Sequence, residues 1–544
     1  MKADVLHLHT YFLFPFSIDH DAVMEDHPEI WKRRQNWFGN LDTWVTEHIA
    51  EEGHYGSLGR ELSGWKRSPH KRFDLSSPAY QDMVFFHPFV RRVFFDTGNH
   101  HREHEALLRC YSMAPAPGQR LFYEAEDARG HSASVEVTDL RLFLFANGVS
   151  ILNLGVQAVN ISFAQALWIN EMMRKIYPSS DRQIESGRIP NRFSLVLEQN
   201  GQRRALVEEK CEQCGLLGFR PHLSKILLSL LYFANYGSEE FEPVLDERMI
   251  VNSFVSLDRA RLPSGFERSE EYEAALSRLL YVDRDGPGYR YDPDFTRGQM
   301  AKHVYRRWQH EGTLYGMTSY SNVTLTVSGG NGLVYRMFTS KNHLIGLVAL
   351  FYRATLLDFL KESALVSRQL FPIFSGQIVR HRHIQFATRL MADFHYFNNY
   401  WFFSEITTKD EELEHFQLLC DAYRINEIKD EISDEVAKLA GYIDRLYALR
   451  NNDAVNRLAI LSMILGIGAL VTGFYGMNIP HLTNVLGNGI ISKISFGATL
   501  LMTVCSLALI IYIVVANWVD YRVSLLPHRF RRPLPDKSLR RLSK

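Results

Sequence analysis

Leu458–Tyr475 reads LAILSMILGIGALVTGFY and runs directly into Gly476-Met477-Asn478. No Asp, Glu, Lys or Arg occurs between Arg457 and Lys493, and none between Lys493 and Asp520. As a helix, Leu458–Tyr475 is about 27 Å long, enough to cross the hydrocarbon core of a bilayer. Ile494–Val519, ISFGATLLMTVCSLALIIYIVVANWV, is long enough to span with some tilt. Buried helices of soluble domains are rarely apolar all round for such lengths. Trp518 and Tyr521 close the second stretch, where an interfacial belt favours aromatics. The reading is two transmembrane helices, 458–475 and 494–519, joined by a short loop, 476–493.

The flanks orient these spans. A basic tail, 520–544, carries Arg522, Arg529, Arg531, Arg532, Lys537, Arg540, Arg541 and Lys544, and Arg445, Arg450 and Arg457 precede the first span. The loop between the spans holds only Lys493. Positive charge inside places both termini in the cytoplasm and the loop outside, in a cell (inner) membrane. The N-terminal MKADVLHLHTYFLFPF carries Asp4, His7 and His9 within its apolar part, so it does not read as a signal peptide. The chain of 544 residues has 61 basic and 61 acidic side chains and a mean hydropathy of −0.17, which argues against a globally basic nucleic-acid binder. Five cysteines exclude a disulfide scaffold and suit a reducing cytosol.

Residues 1–335 read as a cytosolic mixed α/β domain, with 1–130 a candidate extension. The first 80 residues show no clear period. VRRVFFDT, EALLRCYSM and QRLFYEAED read as strands, as do FSLVLEQ and RMIVNSFVSL. LRLFLFANGVSILNLGV (140–156) reads as a hairpin with a type I′ turn at Asn147-Gly148. Helices are expected from Ser162, capped by its hydroxyl, and over PHLSKILLSLLYFA and SEEYEAALSRLLY. SNVTLTVSGGNG reads as a last strand ending in a glycine turn. From 336 to 457 the pattern is a helical stalk. Ile425, Ile428, Ile432, Val436, Leu439, Ile443 and Leu446 step by three or four, a coiled-coil-like stripe. A single helix from about 411 to 475 would be roughly 98 Å long and would need neighbours, most simply symmetric copies, to bury that stripe.

Tyr475-Gly476-Met477-Asn478, at the outer end of the first span, resembles the signature of the CorA family of divalent-cation channels. The order of parts is similar too: an α/β cytosolic domain, a long stalk helix, two spans and a basic tail. A second Tyr-Gly-Met, at Tyr315-Gly316-Met317, falls in a soluble strand region and is a decoy. The resemblance implies a homopentamer in the lipid bilayer that passes divalent cations, Mg²⁺ first, with Zn²⁺, Co²⁺ or Ni²⁺ the alternative cargo. It implies an ion entrance at Gly476, Met477 and Asn478. Mg²⁺ sheds water reluctantly, so a ring of neutral oxygens suits its hydrated form. Asn478 supplies a carbonyl oxygen and Gly476 a backbone one, whereas Met477 packs rather than binds a hard cation.

Counting back along the helix, Ser462, Gly466, Ala469 and Gly473 share one face, with Asn452 and Val455 farther in. This face could line the pore, or equally let helices pack closely. The span lacks the mid-helix proline common in the family, Ala469 stands where many members have threonine, and the loop IPHLTNVLGNGIISK has no acidic residue. These departures keep a third reading open, a non-conducting membrane-anchored sensor or scaffold.

Residues 405–435 hold eleven acids against three bases, and Asp430, Glu431, Asp434 and Glu435 are candidate regulatory metal ligands or simply a solvated face. Cys211, Cys214 and His222 form an incomplete zinc constellation. His100, His101 and His104, and the pairs His7/His9 and His381/His383, are weaker clusters. No hydrolase triad, phosphate loop or HExxH motif is present, and no cofactor is required, so the chain does not read as an enzyme.

Overall fold

Asp4–Ile18, strand β1, is the spine of the sheet. Leu8, Phe12, Phe14 and Phe16 are buried in the main core, and His7, His9 and Tyr11 are buried toward the other side. A strand covered on both faces loses the polar alternation that marks a half-exposed one. That is why the first residues show no readable period although they form the longest strand of the sheet. The computed structural model describes residues 4–26, 37–47, 84–96, 107–176, 184–211 and 223–238, most of 240–374, all of 381–476, and isolated positions in 58–69 and 494–512.

Among the described residues one sheet of thirteen strands forms. After β1 come β2 (Lys66–Arg67), β3 (Leu108–Met113), β4 (Gln119–Asp127), β5 (Ser132–Phe145), β6 (Val149–Ser162), β7 (Pro190–Gln199) and β8 (Gln202–Lys210). They are followed by β9 (Phe241–Pro243), β10 (Ile250–Leu257), β11 (Val304–Tyr305), β12 (Thr313–Met317) and β13 (Ser321–Thr326). The main path runs β11-β12-β13-β10-β1-β6-β5-β4-β7-β8. β10 and β13 pair in parallel, and the other ladders are antiparallel. Pro15, which lacks an N–H, falls between the end of the β10 ladder at Leu13 and the start of the β9 ladder at Phe16.

Besides His20–Asp26, Trp37–Glu47, Pro293–His303 and Leu333–Met337, the α-helices are α1 (Pro88–Phe94), α2 (Phe163–Met173), α3 (Lys225–Leu230), α4 (Glu270–Tyr281), α5 (His343–Phe374), α6 (His381–Tyr396), α7 (Asp410–Ala422) and α8 (Ile425–Gly476). α2 and α5 both pack on β1 and β6. Alternate β1 residues face them: Thr10 Oγ1 donates to Asn170 Oδ1 of α2 at 2.8 Å, and the Tyr11 ring lies 4.2 Å from His343 of α5. The architecture is therefore a mixed α/β domain with helices on both faces of a sheet, followed by a helical C-terminal region. Ser162 caps α2 through Gln165 N, as its sequence predicts, and Ser269 caps α4 through Tyr272 N.

Several expectations change. VRRVFFDT contributes to α1 rather than to a strand; Pro88 occupies its first turn, where a missing N–H costs nothing. The β5–β6 connection is a three-residue loop, 146–148, closed by Gly148 N to Phe145 O at 3.0 Å, and only its glycine has positive φ. It is therefore not type I′. The type I′ signature occurs instead at Asn200-Gly201, φ 52° and 75°, which joins β7 to β8. The helix expected from 411 is broken at Arg424, φ 56°, so α7 and α8 are separate. α8 alone has 52 residues, about 78 Å.

Contacts divide the chain into Met1–Ala437 and Lys438–Lys544, not at 335. α5 packs on the sheet, and α6 and α7 pack on α5, so these three helices do not form a stalk. Within Met1–Ala437, Ile425, Ile432 and Val436 of the apolar stripe are buried, and so are Ile443 and Leu446 in the second unit. A single chain therefore covers these stripe residues, and burying them needs no symmetric copies.

Candidate functional site

α8 carries the candidate site. It contains no proline, and it stays helical through Leu458–Tyr475 to Gly476. Ser462, Gly466, Ala469 and Gly473 are exposed along it, as are Asn452 and Val455. Their helical spacing places the first four on one face. A Cβ built on Gly466, Gly468 or Gly473 meets nothing within 4 Å, so no other described part of the chain approaches these glycines. Thr472 Oγ1 donates back to Gly468 O at 2.9 Å, which satisfies its hydroxyl inside the helix.

The apolar side chains around that face are uncovered. Ile460 is 57% exposed and Met463 65%, and Leu458, Ile464 and Leu465 are also exposed. Contiguous exposed apolar surface marks a membrane or protein contact. The contrast is Leu333–Arg368, whose apolar window has a mean hydropathy of 1.5; it is the one described helical stretch long and apolar enough to cross a membrane. Its apolar window is 72% buried inside the chain, which makes it a core helix of the sheet domain. Ala454–Gly466 is a shorter apolar helix. In the second predicted span, Ile494, Leu501, Val504, Cys505, Leu509 and Tyr512 are helical and exposed. Met477 and Asn478 of the motif lie outside the described residues, as do His100, His101 and His104.

Among the described residues, the other candidates form no metal-holding group. Asp430, Glu431 and Asp434 are exposed on α8, and Glu435 is half-buried. Among the described residues, no group of three or more His, Cys, Asp or Glu is placed to hold a metal. Cys211 is buried just after β8, where its N–H donates to Asn191 O at 2.8 Å; Cys214 and His222 lie outside the described residues. His9 is buried on β1 with Nδ1 2.9 Å from the Tyr335 hydroxyl. Burial, with His7 adding to it, pushes the His9 imidazole down to about 3, so it is neutral and structural. The decoy Tyr315-Gly316-Met317 is buried in β12.

A buried polar layer between the sheet and α5 and α7 has no local sequence signal. Lys341 pairs with Glu412 across 71 positions, and both are buried. Asn252 Nδ2 lies 3.5 Å from His343 Nδ1. These residues sit in segments whose patterns record only helix or strand, and the fold alone brings them together.

A family model, the CorA-like Mg²⁺ transporter protein, matches residues 403–519. No curated protein and no solved structure matches the chain. The matched segment takes in α7, α8, the Gly476-Met477-Asn478 motif and the second apolar stretch. It is thus to the CorA-like Mg²⁺ transporter family that residues 403–519 of this chain are similar.

Proposed function

We propose that the chain is a membrane channel or transporter for divalent metal cations, Mg²⁺ first, with Zn²⁺, Co²⁺ or Ni²⁺ the alternative cargo on the same scaffold. The observation that carries this reading is the family match over 403–519 with Gly476-Met477-Asn478 inside it. The exposed apolar side chains of α8 support it, because they suit lipid and neighbouring subunits. In this reading five copies surround one axis, with both termini in the cytoplasm of an inner-membrane protein. Gly476 and Asn478 supply entrance oxygens, with Met477 packed behind them. Asn452, Val455, Ser462, Gly466, Ala469 and Gly473 line the path. The exposed acids Asp430, Glu431 and Asp434, with Glu435, concentrate cations near its cytosolic side.

The driving force is electrical. A potential of 100 mV contributes about 2.3 kcal/mol per elementary charge, hence about 4.6 kcal/mol for a divalent cation. Downhill entry needs no nucleotide, and function here is transport rather than catalysis. The test is entry of Mg²⁺ and Zn²⁺ into liposomes carrying the purified protein, followed with trapped indicator dyes, with and without an imposed potential. Potential-driven flux is expected, and the faster ion names the cargo. A well-formed oligomer that passes neither ion at low internal metal replaces this reading with a membrane-anchored sensor or scaffold.

A further inference from the structure

The polar layer under α7 surrounds a cavity of about 10 Å³, lined among others by Tyr315, Asn322, Thr324, Asn342 and His415. That volume is close to the minimum for one water molecule. Asn342 is 7% exposed and His415 2%. Neither the Asn342 Nδ2 and Oδ1 atoms nor His415 Nε2 finds a hydrogen-bond partner among the described residues. A buried polar group left unmade costs more than an ordinary hydrogen bond contributes. Three such atoms on one small cavity therefore point to an occupant.

Chemistry narrows that occupant. Burial pushes the His415 imidazole down to about 3, with Lys341 adding to it, so the ring is neutral. A neutral imidazole offers either a donor or an acceptor at Nε2, and an amide offers both. Water both donates and accepts, so it serves every arrangement. A metal cation serves only the acceptors, and it would also sit near the Lys341 ammonium, whose own partner is Glu412. The Tyr305 and Tyr315 rings flank His415 at 4.6 and 4.5 Å and leave it little freedom to turn toward another partner.

We propose that this cavity binds one structural water that joins Asn342 to His415. Asn342 ends a π-helical turn, Phe338–Asn342, at the entry to α5, and His415 lies on α7. The water thus ties the first helix of the CorA-like segment to the sheet domain. It makes a polar joint where apolar packing would otherwise be expected.

The test uses the full chain in detergent and has two readouts. A structure of the full chain at a resolution that shows ordered water is expected to contain one peak within about 3.2 Å of both Asn342 and His415. Hydrogen exchange of the peptide covering Asp410–Ala422 is then compared among variants. Asn342→Leu and His415→Phe each strand the other partner, and each is expected to raise exchange about tenfold. The double variant removes both orphaned groups and is expected to return exchange to within about threefold of the native chain. No peak, an anomalous metal signal at the position, or additive effects in the double variant would overturn the proposal.

Discussion

Gly148 and Gly201 each follow an asparagine at a hairpin tip, yet they do different work. Gly201 has φ 75° and open space around the position of a Cβ, so Gly201→Ala meets only backbone strain. The expected cost is about 1 kcal/mol. At Gly148, φ 92°, a Cβ would lie 2.8 Å from Ile18 O and 3.0 Å from His20 Nε2. Gly148→Ala is therefore expected to cost about 3 kcal/mol, strain and overpacking together. Urea unfolding followed by tryptophan fluorescence ranks the two, and equal costs would remove the close-approach argument. Asn478→Ala addresses the proposed entrance: cation flux into liposomes is expected to be lost while the oligomer persists on native gels. Unchanged flux removes the entrance role, and loss of assembly makes Asn478 structural.

Arg424 separates two helices that the residue pattern runs together. It sits at φ 56°, a conformation that costs an L-residue about 1 kcal/mol or more. Tyr423 before it is buried, and its ring holds the Arg353 guanidinium 5.0 Å from its centroid, which fixes where α7 must end. Arg424→Gly is expected to raise stability by about 1 kcal/mol, since its ion pair with Glu427 is exposed and contributes little. A lower melting temperature for that variant would show that the side chain matters more than the backbone.

On α5, burial pushes the Glu362 carboxyl up to about 7, with the Asp358 and Asp393 carboxylates adding to it and Arg389 and Lys361 opposing. The folded form then holds a proton that the unfolded chain releases near 4.5. Stability from this group is complete below about pH 4.5 and is lost as pH rises through about 7. Glu362→Gln is expected to flatten that decline in melting temperature, and an unchanged pH profile would place the titration elsewhere.

At the scale of the whole chain, the first unit buries its long apolar helix, whereas the second leaves a run of apolar side chains on α8 open. The sheet domain, through Ala437, encloses even Leu333–Arg368, its most membrane-like stretch. In the second unit, Val455, Leu458, Ile460 and Met463 remain exposed. Exposed apolar surface of this kind marks a membrane or protein contact. If five copies enclose a passive pore, flux should rise with inside-negative potential and reverse with its sign. Flux that ignores potential would contradict a channel.

The CorA-like segment was legible because its signals are local. A lack of charge over tens of residues and a motif between two apolar stretches need no knowledge of neighbours, and the match over 403–519 takes in both. The helix cap at Ser162 was legible for the same reason, since cap and capped N–H lie three positions apart. β1 was not, because burial on both faces erases alternation, and its partners β6 and β10 lie far along the chain. Nor was the turn type at Asn147-Gly148, which Asn147 Nδ2 anchors to Thr355 Oγ1 at 3.0 Å, 208 positions away. By itself the sequence determined where the chain is apolar, where it is charged and where helices begin. Only tertiary structure decided which apolar helix is core and which is bare, where α7 breaks from α8, and which buried polar groups meet. Those outcomes depend on burial and on contacts between distant residues, which no local pattern encodes.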